Sequence, residues 1–151
     1  MTEISFYHLT LSNIESALPK LLERVIASGK RALVRVESEE RVSIINSILW
    51  TYDQSSFLPH GTIKEGQAAS QPIWITEKYE NPNESDVLVV LDGNETPDLD
   101  DFERCLEVFN GADDAAVDLA RARWRHYTDN GYTITYWQQS SEGRWETKNS
   151  A

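Results

Sequence analysis

The chain has 151 residues and a formal net charge of −11, with 25 acidic residues against 14 Lys and Arg. This length fits one domain, which buries roughly 70% of its unfolded surface and needs no disulfide or metal for stability. The acidic charge argues against broad, non-specific nucleic-acid binding, and the single Cys105 excludes a disulfide framework and a multi-cysteine zinc site.

The first predicted elements are a strand at Ile4–Leu9 and a helix that ends at Gly29. Ser12, with Glu15 three residues later, matches a capping box, in which a Ser oxygen and an acid satisfy free helix N–H groups. Pro19 must lie in the first turns of this helix or kink it, because proline has no backbone N–H to donate.

A second strand, Arg31–Val36, precedes a helix that begins near Ser38. One apolar stripe follows the helical period and consists of Val42, Ile45, Ile48, Leu49 and Tyr52. At roughly 100° per residue, Trp50 lies well away from the middle of this stripe. We therefore expect its ring to be exposed or covered by a partner.

The second half continues the alternation of strands and helices. The predicted segments are strands Pro72–Thr76 and Asp86–Leu91, a strand after a helical turn within Asp101–Phe109, a helix at Asp113–Asp129 and a strand at Tyr132–Trp137. The continuous run VLVV is typical of a strand that is covered on both faces. Such alternation predicts an α/β protein with a mostly parallel sheet.

No segment has the features of a targeting signal or a membrane span. The N-terminus lacks the basic-plus-apolar pattern of a leader, and no apolar run approaches the ~20 residues of a spanning helix. We therefore expect a cytoplasmic protein that does not associate with membranes.

The sequence also lacks the common cofactor motifs. Neither G-x-G-x-x-G nor G-x-x-x-x-G-K-[ST] occurs, and His8, His60 and His126 lie far apart without metal-ligand spacing. We therefore expect no cofactor, no metal and no catalytic residue. One alternative is a small doubly wound nucleotide-binding or phosphoacceptor domain centred on Asp92, which follows an apolar strand.

The segment LWTYDQSSFLPHG, residues 49–61, places several aromatic side chains at the end of a helix and in a loop. Loops are normally polar, so these residues either cover a core or form a docking surface. We expect Leu58 to fold back onto the sheet, with Pro59 setting the turn, and Trp50 to serve as an interface residue. Base stacking of single-stranded DNA on these aromatics is a further alternative, which the acidic charge disfavours.

The last predicted helix has a basic flank, since Arg121–Arg125 contains three arginines and no acid. Four residues fall within about 80° of Val117 at helical spacing: Arg121, Trp124, Arg125 and Thr128. The predicted core face consists of Ala116, Leu119, Ala120 and Tyr127, and Arg123 points closer to it. The basic flank is either a solvated face with an Asp118–Arg121 pair or a site for an apolar peptide that carries carboxylates.

Motifs along most of the chain resemble those of the chi subunit family of bacterial DNA polymerase III. They are FYHL, GKRALVRVESEERV, LWTYDQSSFLPHG, QPIWIT, FERCLEVFNG, ARARWRHYTDNGYTITYWQQ and GRW. The resemblance implies a single-domain, Rossmann-like, three-layer α/β/α fold and a non-catalytic adaptor. It implies two partners: the psi subunit of the clamp loader, or a helicase-like protein, and the acidic C-terminal tail of single-stranded DNA-binding protein (SSB).

The resemblance also implies residue roles. Trp50 and Phe57 match positions that contact psi, with Pro59 and His60 shaping the loop. The positions that receive the SSB tail correspond to Arg121, Trp124, Arg125 and Val117, where Val117 replaces a lysine of a well-studied branch. On this basis residues 1–139 form the domain and residues 140–151 a C-terminal extension of unassigned role.

Overall fold

A seven-stranded sheet organises the computed structural model, which describes residues 1–52 and 58–148. The strands are β1 (Glu3–Leu9), β2 (Ala32–Arg35), β3 (Ile73–Thr76), β4 (Val87–Val90), β5 (Arg104–Asn110), β6 (Thr133–Gln139) and β7 (Trp145–Lys148). Their order is β3-β2-β4-β5-β1-β6-β7, and the pairings are parallel except that of β6 with β7. The predicted mostly parallel α/β sheet is confirmed.

Helices cover both faces of the sheet, which gives three layers. The α-helices are α1 (Ile14–Ala27), α2 (Glu39–Thr51) and α3 (Asp114–Asp129). α1 and α2 pack into one hydrophobic cluster with Val87 and Val89, whereas α3 packs into a second cluster with Leu88 and Val90. The run VLVV is therefore buried on both faces, as predicted. Within the described residues, no helix combines the length and apolarity that crossing a membrane requires.

The start of α1 differs from the predicted capping box. Asn13, not Ser12, caps the helix, and its side chain accepts a hydrogen bond from the Ser16 amide at 2.9 Å. The Ser12 hydroxyl instead accepts a hydrogen bond from Gln139 Nε2 at 2.9 Å. The β6 side chain thus draws Ser12 away from the helix end. For α2 the predicted cap is correct, since Ser38 accepts from the Arg41 amide at 3.2 Å.

The turn that leads from β5 into α3 passes very close to β1. The Gly111 amide donates to the Leu9 carbonyl at 2.8 Å. A Cβ atom at Gly111 would lie 2.3 Å from the His8 ring and 2.6 Å from the Leu9 carbonyl oxygen. Only glycine fits at this position, and its small size sets how closely α3 approaches the central strands.

The segment after Gln139 contributes a strand that the sequence patterns did not predict. Residues 140–144 turn the chain, with the Ser140 amide donating to the Arg144 carbonyl at 2.7 Å and Gly143 at φ +83°. β7 then pairs with β6 at the edge of the sheet, and the Trp145 ring meets Tyr7 edge-on at 5.2 Å. Part of the predicted extension therefore belongs to the sheet.

Candidate functional site

Two arginines, Arg121 and Arg125, are exposed on α3, one helical turn apart. Val117 and Trp124 are partly buried beside them and pack against the second hydrophobic cluster. The structure thus brings the four predicted residues onto one flank, where an apolar surface adjoins two guanidinium groups. Their binding role stays a prediction.

A buried polar network fixes the rotation of α3 against the sheet. Arg123 Nε donates to Glu107 Oε2 at 2.7 Å, and the Tyr127 hydroxyl donates to the same oxygen at 2.5 Å. Arg123 Nη2 also donates to Thr96 Oγ1 at 3.1 Å. Burial raises the pKa of the Glu107 carboxyl, whereas Arg123 and Tyr127 oppose that change. The network ties α3 to β5 and to the loop that contains Thr96.

The prediction that Leu119 belongs to the core face of α3 is wrong. Leu119 is 50% exposed, whereas Arg123 is 8% exposed. The reason is the Glu107 carboxylate, which draws Arg123 inward and turns the buried stripe toward Ala120, Arg123 and Tyr127. The prediction that Arg123 points toward the core is confirmed. With α3 in this rotation, the flank that carries Arg121 and Arg125 is exposed to solvent.

His8 and Tyr136 lie within the electrostatic reach of Arg121, and neither was predicted as part of the site. His8 Nδ1 and the Tyr136 hydroxyl are 2.8 Å apart, and the His8 ring centroid lies 4.8 Å from that of Phe109. Burial, together with the positive charge of Arg121, lowers the pKa of His8. Burial raises the pKa of Tyr136 to about 12, and Arg121 opposes this rise. His8 occurs in the quoted motif FYHL, and Tyr136 in ARARWRHYTDNGYTITYWQQ.

Replacing Arg121 by Gln should raise the pKa of His8, because a nearby positive charge no longer disfavours the imidazolium. The pKa should stay below 6.5, since burial is the larger cause of the depression. Because the pKa of His8 is lower in the folded state than in the unfolded state, the unfolded chain binds a proton more readily. The folded state therefore loses stability as pH falls below 6.5. Removing Arg121 should reduce that loss.

NMR titration of the His8 ring measures this change. Arg125→Gln is the matched control and should leave the His8 pKa unaltered, because Arg125 is not among the charges that shift it. An unchanged His8 pKa in Arg121→Gln would show that the guanidinium lies elsewhere in solution.

The second predicted surface surrounds Trp50, which is 52% exposed at the end of α2. Its ring centroid lies 4.7 Å from that of His60, and Pro59 is exposed next to it. Leu58 is 4% exposed and packs into the first hydrophobic cluster, as predicted. The structure therefore groups Trp50, Pro59 and His60, while Phe57 lies outside the described residues. The predicted position of Trp50 off the buried stripe is confirmed.

Main-chain and side-chain bonds hold His60 in place. A carbonyl oxygen can only accept, so the 2.6 Å contact of His60 Nδ1 with the Leu58 carbonyl identifies Nδ1 as the protonated ring nitrogen. The adjacent Gly61 amide donates to the Ile73 carbonyl, and the Ile75 amide donates to the Gly61 carbonyl, both at 3.0 Å. This parallel bridge to β3 anchors the loop at the sheet edge.

The geometry around Asp92 assigns its carboxylate to a structural link between β4 and α2. Oδ2 accepts from the Glu37 amide at 3.0 Å and from Arg41 Nε at 3.2 Å, and Oδ1 accepts from Arg41 Nη2 at 3.0 Å. Both oxygens are thus engaged, which disfavours the phosphoacceptor alternative. Among residues 1–52 and 58–148, no group of three or more His, Cys, Asp or Glu is placed to hold a metal ion.

Comparison with known proteins places the chain in a family. The sequence profile of the family described as "DNA polymerase III chi subunit, HolC" matches residues 1–135. The chain belongs to the DNA polymerase III chi subunit family. The matched region of this chi-family chain includes Trp50, His60, Arg121 and Arg125 and ends within β6.

Curated relatives carry the same name. The chain is 29% identical over 109 residues to the probable DNA polymerase III subunit chi of Rickettsia prowazekii (strain Madrid E), covering 72% of this chain and 66% of that one. It is 26% identical over 125 residues to DNA polymerase III subunit chi of Escherichia coli (strain K12), covering 82% and 84%. It is 29% identical over 136 residues to DNA polymerase III subunit chi of Haemophilus influenzae (strain ATCC 51907 / DSM 11121 / KW20 / Rd), covering 86% of this chain and 92% of that one.

Proposed function

We propose that this chi-family chain is a cytoplasmic, non-catalytic adaptor that links the clamp loader of DNA polymerase III to SSB. The observation that carries the proposal is the separation of its two surfaces. α2, which carries Trp50 in its last turn, lies on one face of the sheet, and α3, which carries Arg121, lies on the other. The loop that holds His60 is bound to β3, and Arg121 acts on His8 of β1. β3 and β1 are four strand spacings apart in the sheet, or about 20 Å. Both surfaces can therefore be occupied together.

The α3 flank supplies the groups that an acidic tail requires. Arg121 and Arg125 are exposed, and an arginine guanidinium can bind both oxygens of a carboxylate through parallel N–H donors. The partly buried Val117 and Trp124 offer an apolar surface for the terminal Phe of an SSB tail. Val117 in place of a lysine exchanges one ionic contact for a larger apolar contact.

The attraction between the tail and α3 must be local, because the whole chain carries a net charge of −11. At physiological ionic strength the Debye length is about 8 Å, so only the nearest charges act on the tail. We therefore expect binding to weaken strongly as salt increases.

The Trp50 surface is the proposed site for psi or a helicase-like protein. Trp50 is 52% exposed, and its ring packs against the anchored His60, so the aromatic surface is held in place. Large aromatic side chains that are buried on complex formation contribute disproportionately to binding free energy. Trp50 is the proposed centre of this contact, together with His60 against its ring, Pro59 before His60 in the chain, and Phe57, which lies between Trp50 and Pro59 in the sequence.

Trp50→Ala should release the clamp-loader partner while the SSB tail stays bound. Loss of an interface tryptophan costs about 2 kcal/mol or more, which corresponds to a roughly thirtyfold weaker complex. The measurement is a pull-down from cell extract with both partners quantified, accompanied by thermal unfolding. Ile44→Ala is the matched control, because Ile44 is 47% exposed on another side of α2.

Two results would contradict this assignment. Simultaneous loss of both partners would mean that the two surfaces are not separate. A large fall in the melting temperature would mean that Trp50 supports the fold rather than a partner.

A further inference from the structure

A groove between α1 and the β6–β7 hairpin lies outside both surfaces described above. Its volume is about 440 Å³, and it is lined by Ser12, Ala17, Lys20, Leu21, Arg24, Gln139, Gly143, Arg144 and Trp145. Gly143, Arg144 and Trp145 belong to the segment beyond the region that matches the family profile. The C-terminal hairpin thus completes a groove that the rest of the chain leaves open.

The charge of this groove is opposite to that of the chain. Lys20, Arg24 and Arg144 are exposed, and none of them forms an ion pair with any residue that the structure describes. No carboxylate lines the groove, although acidic residues outnumber Lys and Arg by 25 to 14 in the chain. Four other described grooves each include at least one Asp or Glu. The lining of this groove therefore carries three cations and no acid.

Gln139 makes the floor of the groove rigid. Its side-chain Oε1 accepts hydrogen bonds from the amides of Thr10, Leu11 and Ser12, each at 3.0 Å. Its Nε2 donates to the Ser12 hydroxyl at 2.9 Å, and the residue is 7% exposed. The loop before α1 is thereby bound to the end of β6. A preformed groove loses little conformational entropy when it binds a ligand.

The groove also has an apolar wall. Ala17 and Leu21 lie along the same flank of α1 as Lys20 and Arg24. Across from them, the partly buried Trp145 packs on the first hydrophobic cluster and contacts Tyr7 edge-on. Cations beside aliphatic and aromatic surface suit a ligand that combines negative charge with an apolar side chain.

We propose that this groove binds an acidic polypeptide segment that carries an apolar side chain, as a site distinct from the α3 flank. Exposed arginine and lysine would receive the carboxylates, and the partly exposed Trp145 would contact the apolar group. The alternative of single-stranded nucleic acid is weaker. Such strands are held by many phosphate contacts along a basic track, whereas this groove offers three cations on a chain of net charge −11.

The test uses Arg121→Glu as the background, so that loss of the α3 site cannot be confused with loss of the groove. A fluorescein-labelled peptide that alternates aspartate with leucine should still bind this variant. Adding Arg144→Glu should weaken that binding about tenfold or more, because a like charge then faces the peptide. Adding Lys64→Glu, an equal charge change at an exposed lysine outside the groove, should have no effect.

Amide chemical shifts show where the peptide binds. In the Arg121→Glu background, addition of peptide should move the resonances of Gly143 and Arg144. Equal binding with and without Arg144→Glu would overturn the proposal, as would shifts confined to other parts of the chain. Tighter binding of labelled oligothymidine than of the peptide, lost in Arg144→Glu, would assign the groove to nucleic acid instead. Circular dichroism confirms that each variant is folded.

Discussion

Arg121→Glu should abolish binding of the acidic SSB tail to the α3 flank while the protein stays folded. Arg121 is exposed and forms none of the ion pairs within the described residues, so its reversal breaks no internal salt bridge. It replaces an attractive charge by a repulsive one beside Arg125. We expect a loss of about 2–3 kcal/mol, which is roughly 30- to 150-fold in affinity.

Fluorescence anisotropy of a labelled tail peptide measures this loss, with chemical shifts of α3 amides separating the flank from the α1 groove. Lys64→Glu changes the net charge equally and should leave tail binding intact. Arg125→Glu should weaken the same complex, because the two guanidinium groups lie one helical turn apart. If α3 amides of Arg121→Glu still respond to the peptide at wild-type concentrations, the tail-site assignment is wrong.

Arg123→Met should destabilise the fold by about 3–5 kcal/mol, because it leaves the buried Glu107 carboxylate without its cation. Met retains the apolar stem of the side chain, so most of the loss is electrostatic. Urea unfolding measures the free energy. Arg125→Met is the matched control: Arg125 is exposed on the same helix as Arg123 and forms no ion pair with the described residues, so its loss should cost about 0.5 kcal/mol or less.

The loss in Arg123→Met should depend on pH in a defined direction. Burial already raises the pKa of Glu107 above its usual 4.5, and removal of Arg123 should raise it further. A carboxyl whose pKa is higher in the folded state binds more protons there, so its penalty is small below pH 4.5 and grows as pH rises. Arg123→Met should therefore be closer to wild type at about pH 5 than at about pH 8.

A second substitution separates charge from packing. Glu107→Gln in the Arg123→Met background removes the unpaired charge and should recover much of the lost stability at about pH 8. A loss that is independent of pH and is not relieved by Glu107→Gln would mean that the ion pair contributes through packing alone.

Hydrophobic periodicity predicted the helices and the central strands well. The stripe on α2 correctly separated buried Leu49 from exposed Trp50, because a regular helix turns by a constant angle per residue. The apolar run from Val87 to Val90 correctly indicated a strand buried on both faces. These features depend on local pattern alone.

The exposure of Leu119 could not be predicted from that pattern, because an apolar residue next to the buried stripe is normally assigned to the core. Arg123 is buried through a contact with Glu107, 16 residues earlier in the chain. One signal was present: Glu107 interrupts the otherwise apolar run CLEVF, and a buried acid requires a partner.

Two other features depended on distant contacts. Ser12 lost its predicted role as a helix cap to Asn13 because it pairs with Gln139, 127 residues away. β7 has the sequence WETK, with one apolar residue, so no alternation marked it as a strand. His8 and Tyr136 enter the surroundings of Arg121 only because β1 and β6 are neighbours in the sheet.

The sheet between α2 and α3 has a thermodynamic consequence for an adaptor. The two helices belong to different hydrophobic clusters, so neither surface shares a side chain with the other. With no shared contacts, the two binding free energies add, and their coupling energy is close to zero. In the proposed adaptor the link would therefore work by tethering: occupation of one surface would raise the effective concentration of the second partner without changing its intrinsic affinity.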